Sequence, residues 1–263
     1  MPMAGTLAWR MAVCNSFPIT LLGTCYKALR QWMEMSSLLN RKVVPIVQIG
    51  HATPTSDFLE FVRLVIDGEM DKVSDRLYLN PFLANMASPV GATRQEANTF
   101  FFESILHYLY AGDTALHMAA AAFRRPMVEL LIAHGADCRA KNRMGAEPLH
   151  YAADTNRLDP SGQAEVIEYL ALVGADINAV DGSGVAPLHR AVRTRSEAAV
   201  RALLNAGANP KQPNKSGSTP MYLAVHTSGK SGSGSDAARR QQASIVKLLL
   251  EHGADPGIRF TVN

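Results

Sequence analysis

One four-residue motif recurs from residue 114 onward in this 263-residue chain, at a nearly constant spacing. It reads TALH at 114–117, EPLH at 147–150, APLH at 186–189 and TPMY at 219–222. The first and second copies begin 33 positions apart, as do the third and fourth, while the middle step is 39. A period of this length indicates a repeat solenoid, in which each unit is stable only when it packs on its neighbours.

A second motif follows each copy of the first, after a stretch with apolar residues at helical spacing. It reads HGAD, VGAD, AGAN and HGAD, with its glycine at Gly135, Gly174, Gly207 and Gly253. Glycine after a helix suits the left-handed backbone conformation that ends many helices. Each unit is therefore predicted to contain two helices, the first begun near the proline of the four-residue motif and the second ended by this glycine.

The repeated units resemble ankyrin repeats, which have a T-P-L-H-x-A signature and a period of about 33 residues. The resemblance covers residues 110–257 and implies an all-α solenoid of helix-turn-helix units joined by hairpin-like turns. It places the side chains of Leu116, Leu149 and Leu188 inside the stack. The sequence departs from the family pattern at four positions: Glu147 and Ala186 replace threonine, Tyr222 replaces histidine, and Asn209 replaces aspartate.

The domain organisation predicted from these patterns has a leader, a cap, a repeat region and a tail. Residues 1–53 form a leader that is weakly structured or contains a short helix. Residues 54–109 form a degenerate ankyrin-like cap, in which an aromatic-rich helical run at 100–110 packs on the first full repeat. A tail follows at 258–263. The four repeats are expected at 110–143, 144–182, 183–215 and 216–257.

Two inserts lengthen the repeat units, one near 156–163 and the other near 228–242. Both contain glycine and serine, which favour turns and flexible linkers over helices. We expect both to lie between the two helices of their units. The second is predicted to be a flexible loop that carries Arg239 and Arg240.

The first motif ends in histidine in three successive units, at His117, His150 and His189. Histidine is a common zinc ligand, but zinc ligands lie about 2 Å from one ion. Equivalent positions on neighbouring helices lie about 8–10 Å apart, so these three rings cannot share an ion. The resemblance implies instead that each histidine bonds neighbouring backbone in the turn. We predict no metal and no cofactor.

No residue pattern typical of a catalytic site appears in the sequence. The three cysteines lack C-x-x-C spacing, and neither G-x-S-x-G nor H-E-x-x-H is present. Gly229, Lys230 and Ser231 resemble part of a phosphate-binding loop, which requires a preceding strand and a following helix. Here a predicted helix precedes them and a Gly-Ser run follows. We therefore predict a protein that is not an enzyme, with a nucleotide-dependent enzyme as the least favoured alternative.

The resemblance implies that the turn tips and first helices line one concave face that binds a protein partner. The predicted contact residues are Lys141, Arg143, Met144, Asp154, Thr155, Ser183, Val185, Arg193, Thr194, Lys215, Ser218 and His226. Asp113, Ala121, Ala122 and Ala146 are also expected to be exposed there. Basic residues outnumber acidic ones on this face by four to two, which favours a mildly acidic partner segment. The predicted function is a protein-interaction scaffold, and an inhibitor or regulator of a partner enzyme is the alternative.

Composition and charge exclude several other classes of protein. The net charge of +3 is too small to indicate nucleic acid as a partner. No apolar run approaches the ~20 residues of a membrane span, and three cysteines do not make a disulfide scaffold. We expect a cytoplasmic protein, with export or lipid anchoring through a cleavage-box-like segment at 22–25 as the alternative. The last repeat has no clear polar cap, so a monomer or weak self-association through the C-terminal end is expected.

Overall fold

The computed structural model describes residues 54–154, 159–226 and 235–257. Its α-helices, in chain order, are α1 (Pro54–Asp67), α2 (Met70–Leu79), α3 (Ala115–Ala121), α4 (Arg125–Ala133), α5 (Pro148–Ala152), α6 (Pro160–Leu172), α7 (Pro187–Arg193), α8 (Glu197–Asn205), α9 (Pro220–His226) and α10 (Asp236–Glu251). Short 3-10 helices span Pro81–Ala84 and Asn98–Phe100, and two strands follow, β1 (Phe101–Phe102) and β2 (His107–Tyr108).

Some predictions concern residues outside these ranges. They are the leader at 1–53, the contact residue Thr155, the loop residues Gly229, Lys230 and Ser231, and the tail at 258–263.

The first helix of each repeat begins where the sequence predicts. Pro148, Pro187 and Pro220 are the first residues of α5, α7 and α9, where the missing N–H breaks no helical hydrogen bond. At α9, the backbone N–H of Tyr222 donates to Thr219 Oγ1 over 3.3 Å. This threonine cap satisfies one of the N–H groups that a helix start leaves without a partner.

The helices form two packed rows. In the inner row, α1, α3, α5, α7 and α9 each pack against the next. In the outer row, α4, α6, α8 and α10 pack in series, and each also packs on the inner helix that precedes it in the chain. The side chains of Leu116, Leu149 and Leu188 lie in the shared core and are at most 1% exposed. The predicted all-α solenoid is confirmed, and burial of apolar surface between neighbouring units stabilises it.

Each outer helix of the repeats ends at a glycine in the left-handed backbone region. Gly135, Gly174, Gly207 and Gly253 have φ values of 86°, 97°, 94° and 85°. A Cβ atom added to any of the four would meet no heavy atom within 4 Å. The positions therefore require glycine for its backbone conformation and not for lack of space.

A second set of turns leads from each outer helix to the next inner helix. Asn142, Asp181 and Asn214 recur at these tips, and the Oδ1 atom of each accepts two backbone N–H bonds of 2.8–3.1 Å. Adjacent tips are joined by backbone hydrogen bonds, such as Gly182 N to Met144 O over 2.7 Å. These bonds hold the tips in one preorganised row. These residues recur at spacings of 39 and 33, a signal that could have identified them from the sequence.

The aromatic insert forms a β-hairpin, which corrects the helical run predicted at 100–110. Strands β1 and β2 are antiparallel, with Phe101 opposite Tyr108. Aromatic side chains pack well on a pleated strand, and alternation buries Leu109 completely while Tyr108 stays half-buried. The chain reverses near Leu106, which has a φ of 50°. The hairpin (β1, β2 and the turn between them) therefore follows the period of a strand and not that of a helix.

The second insert is shorter than predicted at its C-terminal end. Arg239 and Arg240 lie on α10, which corrects their assignment to a flexible loop at 228–242. The backbone N–H of Ala238 donates to Ser235 Oγ over 3.2 Å. This serine is a helix cap, which the preceding Gly-Ser run concealed in the sequence.

The first insert is also shorter than predicted. Helix α6 begins inside the range 156–163, and Asp159 Oδ1 accepts from the Gly162 N–H over 2.9 Å as its cap. Gln163 Nε2 donates to the Ala152 carbonyl over 2.8 Å. The start of α6 is thereby attached to the end of α5.

Candidate protein-binding surface

The repeated histidines His117, His150 and His189 each connect one unit to the next. Their Nδ1 atoms accept hydrogen bonds of 3.1–3.2 Å from the backbone N–H at the start of their own helix. An accepting Nδ1 leaves the proton on Nε2, which donates to the following turn. The acceptors are the carbonyl oxygens of Ala146, Val185 and Ser218, over 3.0–3.1 Å. Each ring thus bonds backbone at both ends.

Burial changes the protonation of these rings. The pKa values of His117, His150 and His189 all lie below the ordinary value, with burial as the largest cause. For His150, burial and then the nearby charge of Arg190 lower the pKa to about 4. The rings are therefore neutral at pH 7, as the hydrogen bonds require. A proton on Nδ1 would remove the acceptor at the helix start.

The basic residues predicted on the turn tips are exposed. Lys141 has a side chain that is 59% exposed. Arg143 Nη2 donates to the Ala92 carbonyl over 2.6 Å, and Lys215 Nζ donates to the Gly182 carbonyl over 2.7 Å. Both of these contacts are with backbone carbonyl oxygens, which do not neutralise the positive charge of the side chain.

An ionic cluster on the inner row surrounds Arg190. Its Nη1 lies 2.7 Å from Asp154 Oδ2 and its Nη2 lies 3.1 Å from Asp181 Oδ2. Arg193 Nη2 and His107 Nε2 also approach Asp154, at 3.7 and 3.9 Å. Burial opposes ionisation of Asp154, but His107 and Arg190 more than offset it and hold its pKa below the ordinary value. The negative charge of this predicted contact residue is therefore balanced within the protein.

The hairpin covers the inner row at α3 and α5. The ring of His107 lies 4.5 Å, between centroids, from the ring of Tyr151 on α5. At the hairpin turn, Ser104 lines the same depression as Ala122 and Phe123, which follow α3. All seven residues of α3 are buried, which requires packing on every side of that helix. The first repeat consequently displays little of its inner helix.

Three positions expected to be exposed are buried. Asp113 accepts from the Tyr151 hydroxyl over 2.7 Å and from Asn142 Nδ2 over 2.9 Å. Ala121 lies on the buried helix α3, and Ala146 is inside a turn tip, where its carbonyl oxygen accepts the bond from the first repeated histidine. The count of four basic to two acidic residues on this face is therefore corrected, because Asp113 is not displayed.

The other predicted contact residues differ in accessibility. Met144, Ser183, Arg193 and His226 are exposed, whereas Val185, Thr194 and Ser218 are half-buried. The Thr194 hydroxyl donates to the Arg190 carbonyl over 3.0 Å, and the His226 ring stacks on Tyr222 with centroids 4.8 Å apart.

Two residues important to this face were missed by sequence reasoning. Arg190 stands directly after the histidine of its motif, where the first and second repeats have Met118 and Tyr151. A charged residue at a position that is buried in neighbouring units needs a buried partner, and that signal would have identified Arg190. No pattern in the sequence pointed to His107.

The C-terminal end of the stack exposes apolar side chains. Val225 is 51% exposed, whereas its equivalent one repeat earlier, Val192, is 1% exposed. Val225 and Leu250 line a depression of about 170 Å³ together with Tyr222. Self-association through this end stays a prediction.

Neither a metal site nor a membrane-spanning helix is present in the described ranges. No group of three or more His, Cys, Asp or Glu side chains there is arranged to hold a metal ion. No helix within the same ranges is long and apolar enough to cross a membrane.

Comparison with known proteins identifies a matching family, and the matches cover the repeats. The family described as "Ankyrin repeats (3 copies)" matches residues 94–181 and 160–260. Ankyrin repeat and SOCS box protein 6 of Pongo abelii and its counterpart of the same name in Homo sapiens are each 32% identical over 185 residues. The alignments cover 62% of this chain and 39% of each relative. The chain thus spans about two fifths of the length of these relatives.

Proposed function

The chain belongs to the ankyrin-repeat family, and we propose that it is a non-catalytic scaffold that binds a mildly acidic segment of a partner protein. Ankyrin repeats generally mediate protein–protein interaction. The binding surface consists of the turn tips and of the inner-row face that the hairpin leaves open. The proposal keeps the repeat boundaries given above and a cap at residues 54–109. It also places the protein in the cytoplasm.

One observation carries the charge preference of this proposal. Among the predicted contact residues, the exposed charges are the basic ones: Lys141, Arg143, Arg193 and Lys215. Asp113 is buried, and Asp154 is paired with Arg190 over 2.7 Å. Lys141 and Arg193 each lie 3.7 Å from a carboxylate, of Glu147 and Asp154 respectively, whereas Arg143 and Lys215 bond backbone carbonyls. The exposed charged contact residues are therefore basic, which favours faster association with acidic segments.

Rigidity of the turn tips supports the same function. Their side-chain caps and tip-to-tip backbone bonds fix the tip backbone before any partner arrives. A preformed surface loses less conformational entropy on binding than a mobile one. The energy of each contact is then available for affinity.

Charge reversal tests the proposal. The full-length chain is used to capture its partner from cell extract, and binding kinetics with the purified partner follow at low and high salt. The double variant Arg143→Glu/Arg193→Glu is expected to associate about tenfold more slowly at low salt, with a smaller difference at high salt. Lys247→Glu on α10 is the matched control, because Lys247 is exposed on the outer row. Equal association rates for all three proteins would refute the electrostatic argument.

A regulatory role is the second candidate. The relatives named above combine ankyrin repeats with a SOCS box in their printed names, which supports an adaptor in which the repeats select a partner enzyme to be regulated. Loss of activity when purified chain is added to the captured enzyme is the expected result for an inhibitor. Unchanged activity with intact binding favours the plain scaffold.

A nucleotide-dependent enzyme is the least supported candidate, since the sequence pattern at Gly229, Lys230 and Ser231 lacks a preceding strand. Addition of Mg²⁺ and ATP is expected to leave the melting temperature unchanged. A rise in melting temperature that Lys230→Ala abolishes would instead support this candidate.

A further inference from the structure

The last repeat leaves open a position on its inner helix that every earlier repeat buries. Val225, the third residue after the four-residue motif, is 51% exposed on α9. Its equivalents in the earlier repeats are at most 1% exposed: Ala120, Ala153 and Val192. In each of those repeats the next inner helix packs on this helix. Within the described ranges, no unit follows α10 to cover α9 in the same way.

The outer helix of the last repeat shows the same contrast. Val246, seven residues before the glycine that ends α10, is half-buried. Its equivalents in the earlier repeats are fully buried: Val128, Ile167 and Val200. Val225, Val246 and the 45% exposed Leu250 line the depression of about 170 Å³ at this end. An apolar surface that the rest of the stack buries is therefore open to water here, which is unfavourable.

The chain continues from the rim of this depression. Pro256 lines it, and the tail starts two residues later with the sequence IRFTVN at 258–263, outside the described ranges. Apolar and polar residues alternate in this sequence, and the apolar ones are Ile258, Phe260 and Val262. Side chains two residues apart point to the same side of an extended segment. Such a segment of this length spans about 20 Å, which is enough to cross the depression.

The tail sequence does not match the start of another turn tip. In the described repeats, the fifth residue after the second motif is Asn142, Asp181 or Asn214, whose side chain accepts two backbone N–H bonds. The corresponding residue of the tail is Phe260, which has no side-chain oxygen to accept such bonds. A large apolar side chain thus stands where a following unit would need a polar one.

We propose that the tail docks as an extended segment on the C-terminal end of the stack, with Phe260 in the depression beside Val225 and Val246. The tail takes the place of a following repeat as the cover of this apolar end, and the chain stays monomeric. A second copy of the chain is the competing occupant. The tail is favoured because its short covalent link to the rim keeps it at a high effective concentration, however dilute the protein is.

Hydrogen exchange of the full-length chain, measured by mass spectrometry over α9 and α10, tests this proposal. Phe260→Asp is expected to raise the exchange rate of the α9 amides about tenfold, because a carboxylate is unfavourable in an apolar depression and its release opens the end of the stack. Deletion of residues 258–263 is expected to have the same effect. Thr261→Asp is the matched control, since it introduces the same charge one residue away, on the opposite side of an extended segment. It is expected to leave exchange unchanged.

Sedimentation of the full-length chain over a wide range of concentrations identifies which occupant covers the end. A single monomeric species is the expected result. A dimer that Val225→Asp abolishes would show that a second copy covers the depression, and it would overturn the proposal. Exchange that Phe260→Asp and the deletion leave unchanged, or that Thr261→Asp raises as much as Phe260→Asp does, would also overturn it. These measurements do not involve Arg143 or Arg193, so the scaffold function is tested separately.

Discussion

Acidification is expected to lower the free energy of unfolding of this protein through its repeated histidines, and most clearly through His150. The ring is fully buried and its pKa is about 4 in the folded protein, against an ordinary value of 6.5. Between these pH values the unfolded chain takes up a proton that the folded chain does not. The stability contributed by the neutral ring is therefore complete above pH 6.5 and is lost as the pH falls to about 4.

The size of the effect follows from the two pKa values. A tenfold change in proton affinity corresponds to about 1.36 kcal/mol, so a pKa of about 4 in place of 6.5 corresponds to about 3 kcal/mol for this one residue. His117 and His189 act in the same direction, since burial lowers their pKa values too. Glu147 acts in the opposite direction, because burial raises its pKa.

Urea unfolding followed by circular dichroism at pH 7, 6, 5 and 4.5 measures this dependence. A His150→Gln variant is less stable at pH 7, because glutamine cannot bond backbone at both ends as the ring does. Its deficit relative to the wild type should shrink as the pH falls, by up to about 3 kcal/mol near pH 4. His226→Gln is the control, because His226 is exposed. A deficit that stays constant between pH 7 and 4.5 would refute the reasoning.

Three further predictions concern the free energy of unfolding, which urea titration at pH 7 measures. Gly207→Ala should cost about 1 kcal/mol, for its φ of 94° alone. Gly184→Ala should cost at least twice that, because its Cβ would also lie 2.8 Å from a backbone nitrogen of the next tip. Equal costs for the two variants would show that this close approach does not matter. Arg195→Gly should stabilise by about 0.5 kcal/mol, because φ is 59° there, and a loss of stability contradicts this. Arg190→Met should cost about 3–5 kcal/mol by removing the nearest cation from two partly buried carboxylates. Adding Asp154→Asn should restore part of this loss, and a double variant as unstable as Arg190→Met counts against the ion pair.

The repeat pattern allowed much of the architecture to be predicted because its determinants are local. Helix starts at proline and helix ends at glycine depend on backbone preferences within a few residues. The row of buried leucines follows from the helical period of each unit. By contrast, the aromatic insert was assigned the wrong period, because a dense run of aromatic residues suits both a buried helix and a short strand.

The exposure of individual residues on the proposed binding surface was predicted less well than the fold. Exposure at a given repeat position depends on what the rest of the chain places over it. Asp113 was predicted to be displayed, but Tyr151 and Asn142 reach it from 38 and 29 residues away. Asp154, the partner of Arg190 just after the previous inner helix, is likewise 36 residues distant.

By itself, the sequence determined that paired helices must stack in a row, because no single unit has enough apolar surface to be stable alone. It also determined the conformation of the turns that separate the helices. Only the tertiary structure decided that the hairpin folds back over α3 and α5 and that the exposed charge on this face is basic. Those outcomes depend on contacts between residues far apart in the chain, whose meeting is set by the path of the whole solenoid and not by any local preference.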